Sequence, residues 1–374
     1  MATHSLPPTH KALVQEVYAG PLVVKTLPTP QPTPGSAIIK IIHVPIVSYI
    51  RDVYNGKRKY PYPTPIVPGT SAIGRVVATG PDAVLLKEGD LVYFDGTIRG
   101  RDDSDAIFLH GITEGAGEGS KKLMAGEWRD STYAEYAKVP LENVFQLNEK
   151  VLCGSPEEGG LGYASAQLCW LLQALVPYGG LRSIGLQAGE TIIVAPATGG
   201  FGSAAVVLAL ALGARVIAMG RNVDALAQLK TLSPRVETVQ ISGNEETDLA
   251  NLKKFGKIDA YFDISPPEAT GSSHVKTAIH SLGQDGRVSL MGGLLGDVPL
   301  PHRHIMRHDI VVKGKWMYSR ADCLAMLKLF NTGVLDVRHI AKVVGDFKLE
   351  DWEEALDTAA EKGAKPGQFV VFSP

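Results

Sequence analysis

The chain has 374 residues, 45% of them hydrophobic, and a formal net charge of −2. This length predicts two domains, and the small charge provides no basic field for binding nucleic acid or an anionic membrane. Its longest apolar stretches are broken by Gln, Gly or Arg, so none reads as a membrane span. Three widely spaced cysteines and an amino terminus without a signal-peptide pattern predict a cytoplasmic protein without disulfides.

Short β-rich runs separated by Pro and Gly occupy the chain up to about residue 150, for example PLVVKTLP, SAIIKIIHVPI and KEGDLVYF. This punctuation is typical of a β-rich domain with many turns. Within it, residues 99–130 are polar, Gly-rich and poorly periodic. We expect that stretch to be a long surface excursion.

The pattern changes after residue 165, where compact apolar runs such as ETIIVAPA and RVIAMG alternate with helical segments. Strands that alternate with helices predict a parallel, doubly wound α/β sheet. Beyond residue 317 the order becomes helix, short strands, acidic helix and a final strand, QFVVFSP. We therefore expect a β-rich catalytic domain from residues 1–165 and 318–374, with a nucleotide-binding α/β domain at 166–317.

The segment TIIVAPATGGFGSAAVVLALAL predicts the first half of a dinucleotide fold: a strand, a tight glycine turn and a helix. Glycine lets the backbone approach a pyrophosphate, and the helix N-terminus presents free N–H groups to it. A glycine-rich connector without a ligand remains the alternative. The predicted contacts in the turn are Ala197, Thr198, Gly199, Gly200, Phe201 and Gly202.

The strand after this helix ends on Gly220, Arg221 and Asn222, at the position where NAD-binding folds place an acidic residue. An acidic side chain repels a 2′-phosphate, whereas a guanidinium binds one through charge-assisted hydrogen bonds. These three residues therefore predict NADPH as cofactor, the alternative being that Arg221 is a solvated loop cation. Ser265 and Gly292 are two further predicted cofactor contacts.

Six segments in the same order resemble the medium-chain dehydrogenase/reductase superfamily; they include VPGTSAIGRVVATG, LKEGDLVYF, STYAEYAKVP and LGQDGRVSLMGG. The resemblance implies a GroES-like β-rich catalytic domain joined to a Rossmann cofactor domain. It also implies a homodimer that pairs through the strand in PHRHIMRHDIVVKGKW.

Zinc-dependent members of that superfamily take their catalytic metal from Cys and His positions that fall here on Val47 and Thr70, with Ser71 at the adjoining Glu position. Valine and hydroxyl side chains do not replace the thiolate, imidazole or carboxylate ligands of zinc. The segment HRHIMRH contains a histidine cluster, which we expect to be a surface loop. The sequence thus predicts no metal site.

Members without zinc include quinone oxidoreductases and enoyl reductases, and VSYIRD resembles a segment of the former. Tyr49 is the first candidate for a proton donor and Tyr54 the second, while Arg51 and Asp52 are expected to form a structural ion pair. That Tyr49 only shapes the pocket remains open.

Without a metal to polarise a simple ketone, hydride transfer favours an acceptor that spreads charge onto a heteroatom. The expected function is NADPH-dependent, zinc-independent reduction of a small conjugated acceptor, either an enone or enoyl C=C bond or a quinone. A metal-free carbonyl or imine reductase and a non-catalytic NADPH-binding sensor or structural protein are the alternatives.

Overall fold

The computed structural model describes residues 6–374. They divide into two compact units. The first unit contains the residues up to Leu172 together with 336–364 and 368–374, and the second contains 173–335 and 365–367.

Most elements of the first unit come from the amino-terminal part of the chain. Its helices and strands, in order, are β1 (Thr9–Gln15), β2 (Leu22–Pro28), β3 (Ser36–Ile46), α1 (Ile50–Tyr54), β4 (Ala72–Thr79), β5 (Leu91–Phe94), β6 (Thr97–Arg99), β7 (Ile107–Leu109), α2 (Glu118–Ala125), β8 (Tyr136–Pro140), β9 (Val144–Gln146) and α3 (Glu149–Leu152).

The chain then builds the second unit. Its helices and strands are α4 (Leu171–Ser183), β10 (Thr191–Ala195), α5 (Gly200–Ala211), β11 (Arg215–Gly220), α6 (Val223–Lys230), β12 (Val236–Gln240), α7 (Glu245–Lys253), β13 (Ala260–Asp263), α8 (His274–Ser281), β14 (Arg287–Leu290), α9 (His302–Arg307), β15 (Val311–Gly314) and α10 (Arg320–Asn331).

The last segment returns to the first unit as β16 (Lys342–Phe347), α11 (Trp352–Lys362) and β17 (Gln368–Phe372). The main sheet of this unit has the order β16-β17-β3-β4-β5-β9, and β8 also pairs with β3. β16 and β17 pair in parallel, and the remaining pairs are antiparallel. Both ends of the chain thus contribute to one β-rich unit, as the sequence predicts.

The second unit is built on a parallel sheet with the order β12-β11-β10-β13-β14-β15. Counted from β10, this is the 3-2-1-4-5-6 order of a dinucleotide-binding fold. β10 and β13 are buried along their whole length because helices cover parallel sheets on both faces. The predicted doubly wound parallel sheet is confirmed.

The unit boundaries differ from the expected ones at both ends of the parallel domain, and residues 166–172 lie in the first unit. Residues 318–335, which the sequence assigns to the catalytic domain, lie in the second unit. The reason is local packing, since Tyr318 lies directly against Gly179 of α4 and Arg182 forms an ion pair of 3.1 Å with Asp322. α10 therefore continues the second unit.

The stretch 99–130 is not purely a surface excursion. It contains β7 and α2, and it buries Phe108, His110 and Met124 completely. Phe108 and His110 alternate with partly buried neighbours at the strand period of two, but this run is too short to stand out in a polar segment. Among the described residues, no helix combines the length and the apolarity needed to cross a membrane.

Candidate functional site

The glycine turn (residues 197–202) connects β10 to α5 in the second unit. A Cβ atom on Gly202 would lie 2.0 Å from the carbonyl oxygen of Pro196, so helix and strand pack too closely for any side chain there. A Cβ on Gly199 would meet nothing within 4 Å, which leaves open space above the turn. Gly199 also caps α5 without a side-chain hydrogen bond, so the first N–H groups of the helix remain available to an anion.

The end of β11 lies beside this turn. The backbone N–H of Ala197 donates to the carbonyl of Met219 at 2.8 Å, and Gly220 lies against Thr198. Arg221 follows and is exposed, and its guanidinium has no hydrogen-bond or ion-pair partner within residues 6–374. Asn222 caps α6 by accepting the Ala225 N–H at 3.0 Å. An exposed arginine thus directly follows the strand end that contacts the glycine turn.

Ser265 and Gly292 follow β13 and β14, at the same edge of the sheet as the glycine turn. Both bond to the carboxylate of Asp263, which accepts the Ser265 hydroxyl and, at 3.0 Å, the Gly292 N–H. The structure thus brings all the predicted cofactor residues to the carboxyl ends of β10, β11, β13 and β14, where open α/β sheets bind their ligands.

Tyr49 lies between β3 and α1 in the first unit and is half-buried. The guanidinium carbon of Arg58 lies 4.2 Å from the centroid of its ring. Burial raises the pKa of Tyr49 well above its ordinary value, with a smaller contribution from Tyr60 and an opposing one from Arg58. Tyr49 is therefore a protonated phenol at neutral pH, able to donate a hydrogen bond or a proton.

Tyr54 occupies a different environment and is only 3% exposed. Its hydroxyl donates to the carbonyl of Gly111 at 3.0 Å and accepts the Gly69 N–H at 3.2 Å. Because the single hydroxyl proton is bonded to the backbone, Tyr54 joins two segments of the first unit. This geometry gives Tyr54 a structural role, in contrast to its prediction as a proton donor.

The positions that the resemblance aligns with zinc ligands carry valine and hydroxyl side chains. Val47 is buried, and the Thr70 hydroxyl lies within hydrogen-bonding distance of the carbonyl oxygens of Pro45 and Ser71, at 3.2 and 3.1 Å. The Ser71 hydroxyl accepts the Gly96 N–H at 2.9 Å. Within residues 6–374 no three His, Cys, Asp or Glu side chains are grouped as metal ligands. These residues offer two engaged hydroxyls, and zinc prefers thiolate, imidazole or carboxylate.

Two local expectations were wrong. Arg51 and Asp52 do not pair with each other, because Arg51 bonds to Asp357 at 2.6 Å and Asp52 to Lys57 at 3.2 Å. Adjacent helical residues point away from each other, so each carries its charge to a different neighbour.

The histidine cluster is not a loop. His302 and His304 lie on helix α9, and His308 caps its end. The ring of His304 lies 4.0 Å from that of His308 and 4.9 Å from that of His280 on α8, measured between centroids. The cluster is thus a contact between two helices.

Sequence reasoning did not identify two buried histidines, His110 and His274. His110 lies with its Nδ1 atom 3.0 Å from the Ser131 hydroxyl, and His274 with its Nε2 atom 2.8 Å from that of Ser265. Neither residue occurs in a recognisable motif. A polar run directly after a buried strand, DISPPEATGSSH, was the available signal for His274.

Comparison with known protein families gives two matches. Residues 33–149 match the family described as "Alcohol dehydrogenase GroES-like domain", and residues 200–332 match "Zinc-binding dehydrogenase". The first confirms the expected GroES-like domain, and the second falls on the parallel unit.

Individual relatives are distant but span the whole chain. An alcohol dehydrogenase of Rhizobium meliloti (strain 1021) is 25% identical over 375 residues, covering 97% of this chain and 98% of the relative. An acryloyl-coenzyme A reductase of Metallosphaera sedula is 25% identical over 360 residues, with 94% and 97% coverage. The structure of alcohol dehydrogenase TADH from Thermus sp. ATN1 superposes with a TM-score of 0.77 at 20% identity, covering 97% of this chain and 99% of that one.

Proposed function

We propose that the chain is a nicotinamide-dependent oxidoreductase of the medium-chain dehydrogenase/reductase superfamily, and that it reduces conjugated acceptors with NADPH and without a catalytic metal. The acceptor is an enone or enoyl C=C bond, or a quinone. The observation that carries this proposal is the set Val47, Thr70 and Ser71 at the zinc-ligand positions, since none of these side chains is a zinc ligand.

The preference for NADPH rests on Arg221. Its exposed guanidinium has no carboxylate partner in the described chain, and it directly follows the strand whose end lies against the glycine turn. In this position it would bind the 2′-phosphate, while the turn and the α5 N-terminus would bind the pyrophosphate. The neutral residues Gly220 and Asn222 on either side add no repulsion.

The proposed chemistry follows from side chains that provide no ligands for a Lewis-acidic metal. The reduced nicotinamide, when bound, supplies a hydride. The acceptor must then carry the added electron pair on a heteroatom that this chain stabilises through hydrogen bonds alone. Tyr49 would donate its phenolic proton to that atom, and its raised pKa keeps the proton in place until the acceptor becomes basic. Tyr54 would hold the surrounding backbone.

The acryloyl-coenzyme A reductase among the relatives supports the reduction of a conjugated C=C bond. The alcohol dehydrogenase supports the second candidate, a carbonyl or imine reductase that relies on side-chain acids. A panel of enones, quinones, ketones and cyclic imines, assayed by NADPH consumption with a chelator present, separates these functions. A protein that binds NADPH without turnover would leave the whole panel unreacted.

We also propose a homodimer formed through β15. This strand is the last in the order of the parallel sheet, and Val311 on it is 57% exposed. An exposed apolar edge strand favours pairing with a second chain. Light scattering would show a dimer, and Val311→Lys would convert it to a monomer; a monomeric wild-type protein would contradict this assignment.

A further inference from the structure

A chain of buried polar side chains begins at the carboxyl end of β13. Ser265 and His274 are each 1% exposed, and Asp263 is 3% exposed. Burying such groups costs free energy unless their hydrogen bonds are satisfied, so their arrangement has a structural cause. We call Asp263, Ser265, Ser272 and His274 the β13 network.

The hydrogen bonds form a continuous line. Asp263 accepts the Ser265 hydroxyl on one oxygen and the Gly292 N–H, at 3.0 Å, on the other. The Ser265 hydroxyl oxygen also lies 2.8 Å from Nε2 of His274. On the far side of the ring, Nδ1 of His274 lies 2.8 Å from the hydroxyl of Ser272.

The line also determines where the protons are. The single hydroxyl proton of Ser265 is used in its hydrogen bond to the Asp263 carboxylate. Nε2 of His274 must therefore carry a hydrogen and donate it in a hydrogen bond to the Ser265 oxygen. Nδ1 then accepts from Ser272. Burial lowers the pKa of His274; the charge of Asp263 opposes this shift and that of Arg221 adds to it, and the net lowering agrees with a neutral imidazole.

This arrangement is not that of a serine nucleophile. In a catalytic triad the histidine accepts the serine proton and the carboxylate holds the histidine. Here the serine lies between the other two and donates to the carboxylate, and its hydroxyl is buried. The network therefore has a structural effect on the neighbouring loops.

Two loops lie beside the network and extend from the proposed ligand-binding edge of the sheet. They are residues 264–273 after β13 and 291–299 after β14. The Ser265 carbonyl accepts the Gly293 N–H at 2.7 Å, and the Thr270 hydroxyl accepts the Leu295 N–H at 3.0 Å. A Cβ on Gly292 would lie 2.3 Å from the Asp263 carboxylate, so the second loop approaches the network directly.

We propose that His274 is a positioning residue of the cofactor site, which holds both loops in place through Ser265 and Asp263 so that the dinucleotide meets a preformed surface. This inference rests on the proposed cofactor role of the parallel unit. The network forms no hydrogen bond with Arg221, although the charge of Arg221 acts on His274. Since its hydrogen bonds hold only the two loops, loss of the network should weaken both cofactors by a similar factor, unlike the loss of Arg221.

The test compares His274→Phe with His274→Gln, measuring Kd for NADPH and for NADH by fluorescence at a temperature where each variant is folded. Phenylalanine keeps the volume but removes both hydrogen bonds, so both Kd values should rise about tenfold. The glutamine amide can still donate to Ser265, so both values should stay within about threefold of wild type. His280→Phe, on the same helix but outside the network, is the matched control and should change neither value.

Unchanged Kd values in His274→Phe, even with a lower Tm, would overturn the inference and leave the proposed function intact. A wild-type protein that binds neither cofactor would overturn both. If His274→Phe does not fold, Ser272→Ala at the outer end of the network decides: a rise of about threefold for both cofactors supports the inference, and no rise contradicts it.

Discussion

Thr198 and Gly220 are in direct contact: a Cβ on Gly220 would lie 2.8 Å from Cγ2 of Thr198. The glycine turn and the end of β11 therefore form one surface, although 22 positions separate the two residues in the sequence (220 − 198). The next residue, Arg221, is exposed, and it directly follows the glycine that contacts the turn. Cofactor preference in this account follows from that adjacency.

Replacing Arg221 with Ala should raise KM for NADPH by well over tenfold and leave KM for NADH nearly unchanged. A hydrogen bond to a charged group contributes about 1.5–3 kcal/mol, and only NADPH carries the second phosphate that receives it. Steady-state kinetics with both cofactors measure the difference. Arg303→Ala, at an exposed arginine on α9, is the control. Equal effects on the two cofactors would remove the assignment of NADPH.

Alanine substitutions at two glycines of the same turn should have different effects, one on stability and the other on cofactor binding. Gly202→Ala forces a Cβ to 2.0 Å from the Pro196 carbonyl, so it should lower the free energy of unfolding by about 3 kcal/mol. Gly199→Ala places its Cβ in open space, so stability should change by less than about 1 kcal/mol while Kd for NADPH rises about tenfold. Denaturant titration and cofactor titration measure the two effects. A Gly199→Ala protein that binds NADPH normally would show that no ligand approaches the turn there.

The strand, turn and helix of the candidate cofactor site were predictable because they are local patterns. The spacing from Gly199 to Arg221 is set by one helix and one strand, so it can be counted along the sequence. The β13 network could not be found in this way. Ser265, His274 and Gly292 come together only through the pairing of β13 with β14 and the packing of α8, which no local period encodes.

Tyr49→Phe should lower kcat for an enone by about a hundredfold or more with little change in KM, because general acids contribute about 10²–10⁴-fold. The raised pKa of Tyr49 keeps the phenol protonated, so its ionisation should cause no loss of activity up to pH 9. Initial rates across this pH range test both statements. Tyr60→Phe, at a neighbouring half-buried tyrosine, is the matched control. If the Phe variant keeps nearly full turnover, water is the proton source.

Buried His110 should make the fold sensitive to acid. Burial lowers its pKa from 6.5 to about 4. Between these pH values, His110 is therefore protonated in the unfolded chain and neutral in the folded chain. Protonation of the unfolded chain therefore lowers the free energy of unfolding as the pH falls from 6.5 towards 4, whereas above pH 6.5 this loss is absent. Between pH 7.5 and 5 the loss should be about 2 kcal/mol.

His110→Asn removes this titration and retains a side chain that can bond to Ser131. Urea titrations at pH 7.5 and 5 should show a smaller decrease in the free energy of unfolding for this variant than for wild type. His302→Asn, at an exposed histidine, should follow wild type. Identical decreases in all three proteins would show that His110 does not carry the effect.

The errors at residues 99–130 and at Arg51–Asp52 have a common cause. Composition suggested a solvated excursion, but Phe108 and His110 are buried, and the ring of His110 packs against Phe94 of β5. Adjacency suggested an ion pair, but Asp357, more than three hundred positions away, is the partner of Arg51. Both interactions depend on tertiary structure, which the local pattern does not specify.

The central claim is that this chain transfers hydride without a Lewis acid of its own. The most direct measurement combines elemental analysis of the chelator-treated protein with its rate of NADPH oxidation in the presence of an enone. We expect full turnover at a metal content far below one ion per chain. Loss of turnover after chelation, restored by one equivalent of zinc, would contradict it.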